Sequence, residues 1–229
     1  MTDLLIHLHI PKTGGTSLDE FLARIYGDAY RRISGYSANE KFWSLPPDDL
    51  NALECVGGHL AFGVHRHFPG RQAKYIAFVR RPVDRLYSLY WHIRSRKANV
   101  LHETTLGVSF DEWARLELVS DIDNGMTRYF AGRMQFGVRP SGRPVSETDY
   151  LLACRNIDDH FGFVGVFEEY AASFRCMAKL YGFSGKTGHL LQAQGRPKID
   201  SLHDYGWLIE KNRWDVKLYH YLLRRYEEN

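Results

Sequence analysis

The chain is short of cysteine, of net charge and of long apolar runs, and each shortage closes off a class of protein. Its 229 residues include three cysteines, Cys55, Cys154 and Cys176. They are odd in number, far apart and without metal-ligand spacing. Neither a disulfide framework nor a cysteine metal site is expected, and the thiols read as reduced in a cytoplasmic setting. The formal net charge is only +3. That leans weakly toward anionic ligands and makes no case for nucleic acid as a partner. No apolar stretch approaches the length of a membrane span. The first apolar run, Leu4–Ile10, is too short for a signal sequence and contains His7 and His9. The chain shows no repeat, no low-complexity tract, no H-E-x-x-H metal motif and no G-x-x-x-x-G-K-[ST] triphosphate loop. No metal is called for.

Composition is otherwise ordinary, with 44% hydrophobic and 25% charged residues. This predicts one α/β domain over residues 1–229 with a sizeable core. Strands are expected at Leu4–Ile10, Cys55–Gly58, Tyr75–Val79 and Phe163–Phe167. Helices are expected at Ser17–Tyr26, from Pro82 through Leu86, Tyr90 and Ile93, at Ser109–Leu116, Met126–Ala131, Thr148–Ile157 and Tyr170–Tyr181, and through most of Asp204–Glu228. Gly27–Asn51 is mixed, while Gly132–Pro144 and Gly185–Pro197 read as loops. Strands alternating with helices imply a mainly parallel sheet covered on both faces.

The most informative segment opens the chain. An apolar run ends at Pro11, and Lys12-Thr13-Gly14-Gly15-Thr16-Ser17 leads into a helical pattern. A helix start offers unpaired N–H groups and partial positive charge, so it favours an anion. Gly14 and Gly15 allow close backbone approach. Lys12 adds a full charge, and Thr13, Thr16 and Ser17 add hydroxyl donors. A simpler role is also open: Thr16 with Asp19, or Ser17 with Glu20, has the form of a capping box.

A second cluster follows the strand Tyr75–Val79. Its end delivers Arg80 to the carboxyl edge of the sheet, the edge that also carries the Lys12 turn. Ser88 follows in the second turn of the next helix. An arginine fork with a hydroxyl makes a clamp for a second phosphate. The alternative is an ion pair of Arg80 with Asp84 or with a Glu elsewhere, with Ser88 as a small packing residue.

Together these segments resemble the sulfotransferases that use 3′-phosphoadenosine 5′-phosphosulfate (PAPS). Residues 10–17 are similar to that family's 5′-phosphosulfate loop. Arg80-Arg81-Pro82-Val83-Asp84-Arg85-Leu86-Tyr87-Ser88 is similar to its 3′-phosphate motif. Gly58-His59-Leu60-Ala61-Phe62 stands where the carbohydrate branch, which includes heparan sulfate 2-O-sulfotransferase, carries its catalytic histidine. The detailed likeness covers roughly the first ninety residues. Two departures are Arg81, where the family often has an acidic residue or Asn, and Gly57, where the 2-O-sulfating enzymes tend to show histidine.

The resemblance implies the sulfotransferase fold, PAPS as donor, release of 3′,5′-ADP, and a hydroxylated acceptor such as a glycan. It implies that Lys12, Thr13, Gly14, Gly15, Thr16 and Ser17 hold the 5′ end and that Arg80 and Ser88 hold the 3′-phosphate. Lys12 stabilises the leaving group and His59 is the base, with Glu20 as its rival. Asp123-Asn124-Gly125-Met126-Thr127-Arg128 resembles a segment near the acceptor pocket, which marks Asn124 and Arg128 as acceptor contacts. His65, Arg66 and His67 are either solvated or opposed to an anionic sugar. Arg196-Pro197-Lys198 is a candidate cover for the nucleotide. Without an amino-terminal anchor, the chain reads as a compact, soluble, bacterial relative. Two other readings are open: an ATP-dependent small-molecule kinase, and a non-catalytic nucleotide-binding protein of the same fold.

Overall fold

Period-two alternation in one buried strand organises the molecule. The computed structural model describes residues 3–33, 42, 44–138, 142–183 and 205–227. Among them the chain runs through β1 (Leu4–Leu8), α1 (Gly15–Tyr26), β2 (Tyr30–Ile33), α2 (Pro47–Asn51), β3 (Cys55–Gly58) and β4 (Ala73–Val79). It continues through α3 (Pro82–Arg94), α4 (His102–Leu106), α5 (Phe110–Leu116), α6 (Gly125–Phe130) and α7 (Glu147–His160). The last elements are β5 (Phe161–Val166), α8 (Tyr170–Leu180), α9 (Gly206–Lys211) and α10 (Arg213–Glu227). The strands form one sheet in the order β2-β3-β1-β4-β5, with every neighbouring pair parallel. The expected fold class, a mainly parallel α/β sheet flanked by helices, is the one found.

β1 lies at the centre and all five of its residues are buried. Leu4, Ile6 and Leu8 face a core shared with Met126, Phe130, Ile157, Leu218 and Leu222 from α6, α7 and α10. Leu5 lies on the opposite face with Leu18, Phe21 and Leu22 of α1 and with Phe174 and Met177 of α8. His7 and His9 share that second parity, so two imidazoles project toward α1 where apolar side chains would be expected. The stripe on α3 (Val83, Leu86, Tyr90 and Ile93) joins Phe110, Trp113 and Leu208 in a separate cluster.

Several boundaries differ from the sequence expectation. β1 stops at Leu8, and α1 starts at Gly15 rather than Ser17. β2 was hidden inside the mixed segment, because exposed Arg31 and Arg32 leave a four-residue edge strand with little hydrophobic signal. The carboxyl-terminal region is two helices broken at Asn212, whose side chain donates to the Ile122 and Leu208 carbonyls. The loop expected at Gly185–Pro197, with Arg196-Pro197-Lys198, lies outside the described residues. Among the described residues, no helix is long and apolar enough to cross a membrane.

Candidate functional site

The turn after β1 leaves the start of the following helix without a side-chain cap. Lys12 has φ +72°, a left-handed conformation that costs a non-glycine residue on the order of 1–3 kcal/mol and is typical of functional turns. Gly14, at φ +89°, is the residue before α1, and no side chain caps the helix. The capping-box alternative therefore fails: Asp19 turns inward, and Glu20 is exposed. The first N–H groups of α1 remain pointed at the turn. Thr13 is buried and donates its hydroxyl to the Ile10 carbonyl at 2.8 Å, bracing the loop. Thr16 is exposed, and Ser17 is hydrogen-bonded to Tyr170. A Cβ on Gly14 would lie 2.5 Å from the Tyr170 ring, and one on Gly15 would lie 2.2 Å from the His9 ring. Both glycines are thus required by close packing. Tyr170 also donates to the Gly14 carbonyl at 3.0 Å.

Arg80 leaves the end of β4 and turns toward that loop. Its Nη1 donates to the Lys12 carbonyl at 3.3 Å, and its guanidinium lies 4.5 Å from the centre of the Phe167 ring. Asp84 pairs with Arg81 at 3.2 Å. The Arg81 N–H donates to Glu168 at 3.0 Å, and Tyr219 donates to the other oxygen of that carboxylate. Ser88 is buried in the second turn of α3. The segment 164–169 resembles the sulfotransferase family only loosely and was given no role from the sequence; in the structure Phe167 and Glu168 follow β5 and brace the two arginines from the neighbouring strand end.

His59 stands just beyond β3. Its Nδ1 lies 3.0 Å from the His9 carbonyl, and its ring centre is 4.5 Å from that of His9. A carbonyl only accepts, so Nδ1 carries the proton and Nε2 is the basic nitrogen. Burial lowers the His59 pKa, opposed by the bond to the His9 carbonyl and by the charges of Asp19 and Asp121. Burial thus favours the neutral ring. The structure therefore brings Lys12, His59 and Arg80 to the carboxyl edge of three adjacent strands, β3, β1 and β4.

Sequence reading missed Asp19. Its carboxylate is buried and accepts from His7 Nδ1 at 2.6 Å, His9 Nδ1 at 2.8 Å and the Tyr30 hydroxyl at 3.0 Å. Arg32 Nε lies 3.2 Å away. Burial alone would raise the Asp19 pKa, but the charges and hydrogen bonds of the two histidines outweigh it and hold the group well below the usual carboxylate range. Burial pushes His9 down to about 4, against its bond to Asp19. The signal was present: two histidines on one face of a buried strand need a buried partner.

Asn124 and Arg128 occupy a different setting. Asn124, at φ +51°, accepts from the backbone N–H groups of Trp214 and Asp215 and donates to Asp123 and to the Lys211 carbonyl. Arg128 donates to the Asp123 and Arg143 carbonyls and pairs with the Asp123 carboxylate. Both tie α6 to its neighbours. Arg128 also lines a cavity of about 300 Å³ with Arg133, Arg143 and Asp149. His65 is bonded to Tyr75 Oη at 2.9 Å and stacked on His160, which precedes the first residue of β5. That places it at the opposite edge of the sheet from His59; Arg66 and His67 are exposed nearby.

A family model described as the sulfotransferase family matches residues 1–206. Among solved structures, the chain is similar to a sulfotransferase from Alicyclobacillus acidocaldarius, with 17% identity, a TM-score of 0.51 and 96% of each chain covered. It is also similar to mouse sulfotransferase SULT7A1 complexed with PAP, with 16% identity and a TM-score of 0.46. That likeness covers 80% of this chain, which spans 59% of the mouse protein. No curated protein sequence matches.

Proposed function

The chain belongs to the sulfotransferase family, and we propose that it transfers a sulfuryl group from PAPS to a hydroxyl of a carbohydrate acceptor, releasing 3′,5′-ADP. One observation carries the donor assignment: the Arg80 guanidinium faces the glycine turn, with Nη1 3.3 Å from the Lys12 carbonyl. Two anion-binding features thus share one edge, within reach of a single nucleotide. ATP has no 3′-phosphate to meet the second. In this reading the α1 amides with Thr13, Gly14, Gly15, Thr16 and Ser17 hold the 5′-phosphate, and Arg80 with Ser88 holds the 3′-phosphate.

The donor supplies the sulfuryl group; the protein supplies position and charge. His59 Nε2 takes the acceptor's hydroxyl proton as the new oxygen–sulfur bond forms. Lys12 offsets the negative charge that collects on the departing phosphate. Proximity accounts for much of the rate, because both reactants are held at one sheet edge. Asn124 and Arg128 act one layer behind the acceptor, as supports for the wall around α6. The placement of Gly58-His59-Leu60-Ala61-Phe62 supports a sugar acceptor, as in heparan sulfate 2-O-sulfotransferase. Free thiols at Cys55, Cys154 and Cys176 support a cytoplasmic setting.

Thermal shift tests the donor. Stabilisation by 3′,5′-ADP and not by ATP is the expected outcome, since a ligand of the native state raises its stability. The reverse pattern indicates a kinase. Release of 3′,5′-ADP from PAPS, dependent on an added oligosaccharide, separates the enzyme from a non-catalytic nucleotide binder.

A further inference from the structure

Beneath His59, one carboxylate gathers polar groups from three elements. Asp19 of α1 accepts from His7 and from His9 just past β1, and from Tyr30 of β2, while Arg32 of β2 reaches its second oxygen. Asp19, His7 and His9 are buried on a sheet face otherwise filled by Leu5, Leu18, Ile76 and Phe78, with Tyr30 and Arg32 at its margin. Well-packed apolar residues would serve stability there at least as well as a buried ionic cluster. Among the described residues, the cluster meets the rest of the site at His9. The His9 carbonyl holds His59 Nδ1 at 3.0 Å, and the two rings meet with centres 4.5 Å apart.

We propose that Asp19 is a positioning residue for the base: it locks His9, and His9 in turn fixes the orientation and tautomer of His59. This rests on the reading of His59 as general base. The carboxylate is an acceptor, so it selects the Nδ1–H form of both His7 and His9. His9 is then gripped on every side. Its Nδ1 is tied to Asp19, one face meets the His59 ring, and its edge lies against Gly15, where a Cβ would be 2.5 Å from Nε2. The backbone makes room for the device at Gly57, where a Cβ would be 2.9 Å from Asp19 Oδ1 and 2.7 Å from Tyr30 Oη. Among the described residues, Asp19, Asp121 and Arg32 act on His59 through charge, and His9 is a titratable neighbour. Asp19 favours the imidazolium formed when the base takes its proton, in the manner of a carboxylate behind a catalytic histidine.

The test is Asp19→Asn, nearly the same in shape but presenting an amide N–H to one of the imidazole N–H groups. In the folded variant, turnover falls by about ten- to a hundredfold, as a small misplacement of a reacting group costs. Affinity for 3′,5′-ADP stays within about threefold, because the phosphate contacts are untouched. Histidine-ring NMR adds a readout that needs no activity: the His59 titration midpoint moves to lower pH in Asp19→Asn and to higher pH in Arg32→Gln. Arg32 is 41% exposed, so its variant keeps the fold and, if Asp19→Asn does not fold, still reads whether charge at the Asp19 cluster reaches His59. An unchanged His59 midpoint in the folded variants overturns the proposal, as does equal loss of turnover and 3′,5′-ADP binding in Asp19→Asn. If wild-type protein fails to bind 3′,5′-ADP, or His59→Ala keeps full turnover, the enzymatic reading falls instead. The NMR midpoints still decide whether Asp19 governs His59.

Discussion

Arg80→Ala should separate the two ends of the donor. The guanidinium is partly buried between the Lys12 carbonyl at 3.3 Å and the Phe167 ring at 4.5 Å, so it is held in place before any ligand arrives. A hydrogen bond to a charged partner contributes about 1.5–3 kcal/mol, and a fork to phosphate makes two in parallel. Taking about 3 kcal/mol for the pair, Arg80→Ala weakens 3′,5′-ADP binding on the order of a hundredfold. 5′-AMP lacks the 3′-phosphate and should lose less than about threefold, so variant and ligand form a double-mutant cycle. Arg80→Lys keeps the charge and loses the fork, and falls between. Phe167→Ala removes the platform and costs about 0.5–1 kcal/mol, a few-fold in affinity. Isothermal titration calorimetry at fixed ionic strength reads all of these. Equal weakening of the two nucleotides in Arg80→Ala would mean that the residue braces the loop and does not meet a 3′-phosphate, and the donor assignment would be lost.

His59→Ala should cut turnover about a hundredfold while 3′,5′-ADP binding by calorimetry is unchanged; full activity removes His59 from the chemistry. Because burial disfavours the His59 imidazolium, the acid limb of the kcat/KM profile should lie below the ordinary histidine range; a limb above it contradicts the described burial. Stability should also fall in acid. Between pH 6.5 and about 4 the unfolded chain takes up a proton that buried His9 refuses. Unfolding free energy from urea titration should therefore drop by about 2 kcal/mol between pH 7 and pH 5 from this group alone. Asp19, held low in the fold, contributes stability above the ordinary carboxylate range and loses it as pH falls further. A flat profile down to pH 5 refutes the burial of His9. Gly58→Ala places a methyl group 1.8 Å from the Ile33 carbonyl at a φ of +133°, so it should cost more than about 3 kcal/mol or block folding, read by thermal melting. A melting temperature within a degree of wild type would show that β2 does not pair beside β3 as described.

Much of the architecture was legible because burial leaves a local trace. Cys55–Gly58 matches β3 residue for residue, and the spacing of Leu86, Tyr90 and Ile93 marked the buried stripe of α3. The edge strand β2 left no such trace, since half of its four residues are exposed arginines. The site divides in the same way. Lys12, Gly14 and Gly15 sit in one contiguous turn whose chemistry is local. Arg80 was legible as a strand-end cation, but its partner was not: Asp84, one helical turn away, pairs with Arg81.

By itself the sequence determined the alternation of strands and helices, the lysine-glycine turn and the arginine at the end of β4, because each follows from residues within a few positions of one another. Only the tertiary structure decided that Arg80 faces Lys12, 68 positions away, and that His59 hangs from the His9 carbonyl, 50 positions away. It also explained Gly57, which pairs in register with His7 and leaves the space that Asp19 and Tyr30 occupy. Side-chain direction on a buried sheet depends on which strands become neighbours. Strand order 2-3-1-4-5 is a property of the whole packed core, not of any segment in it.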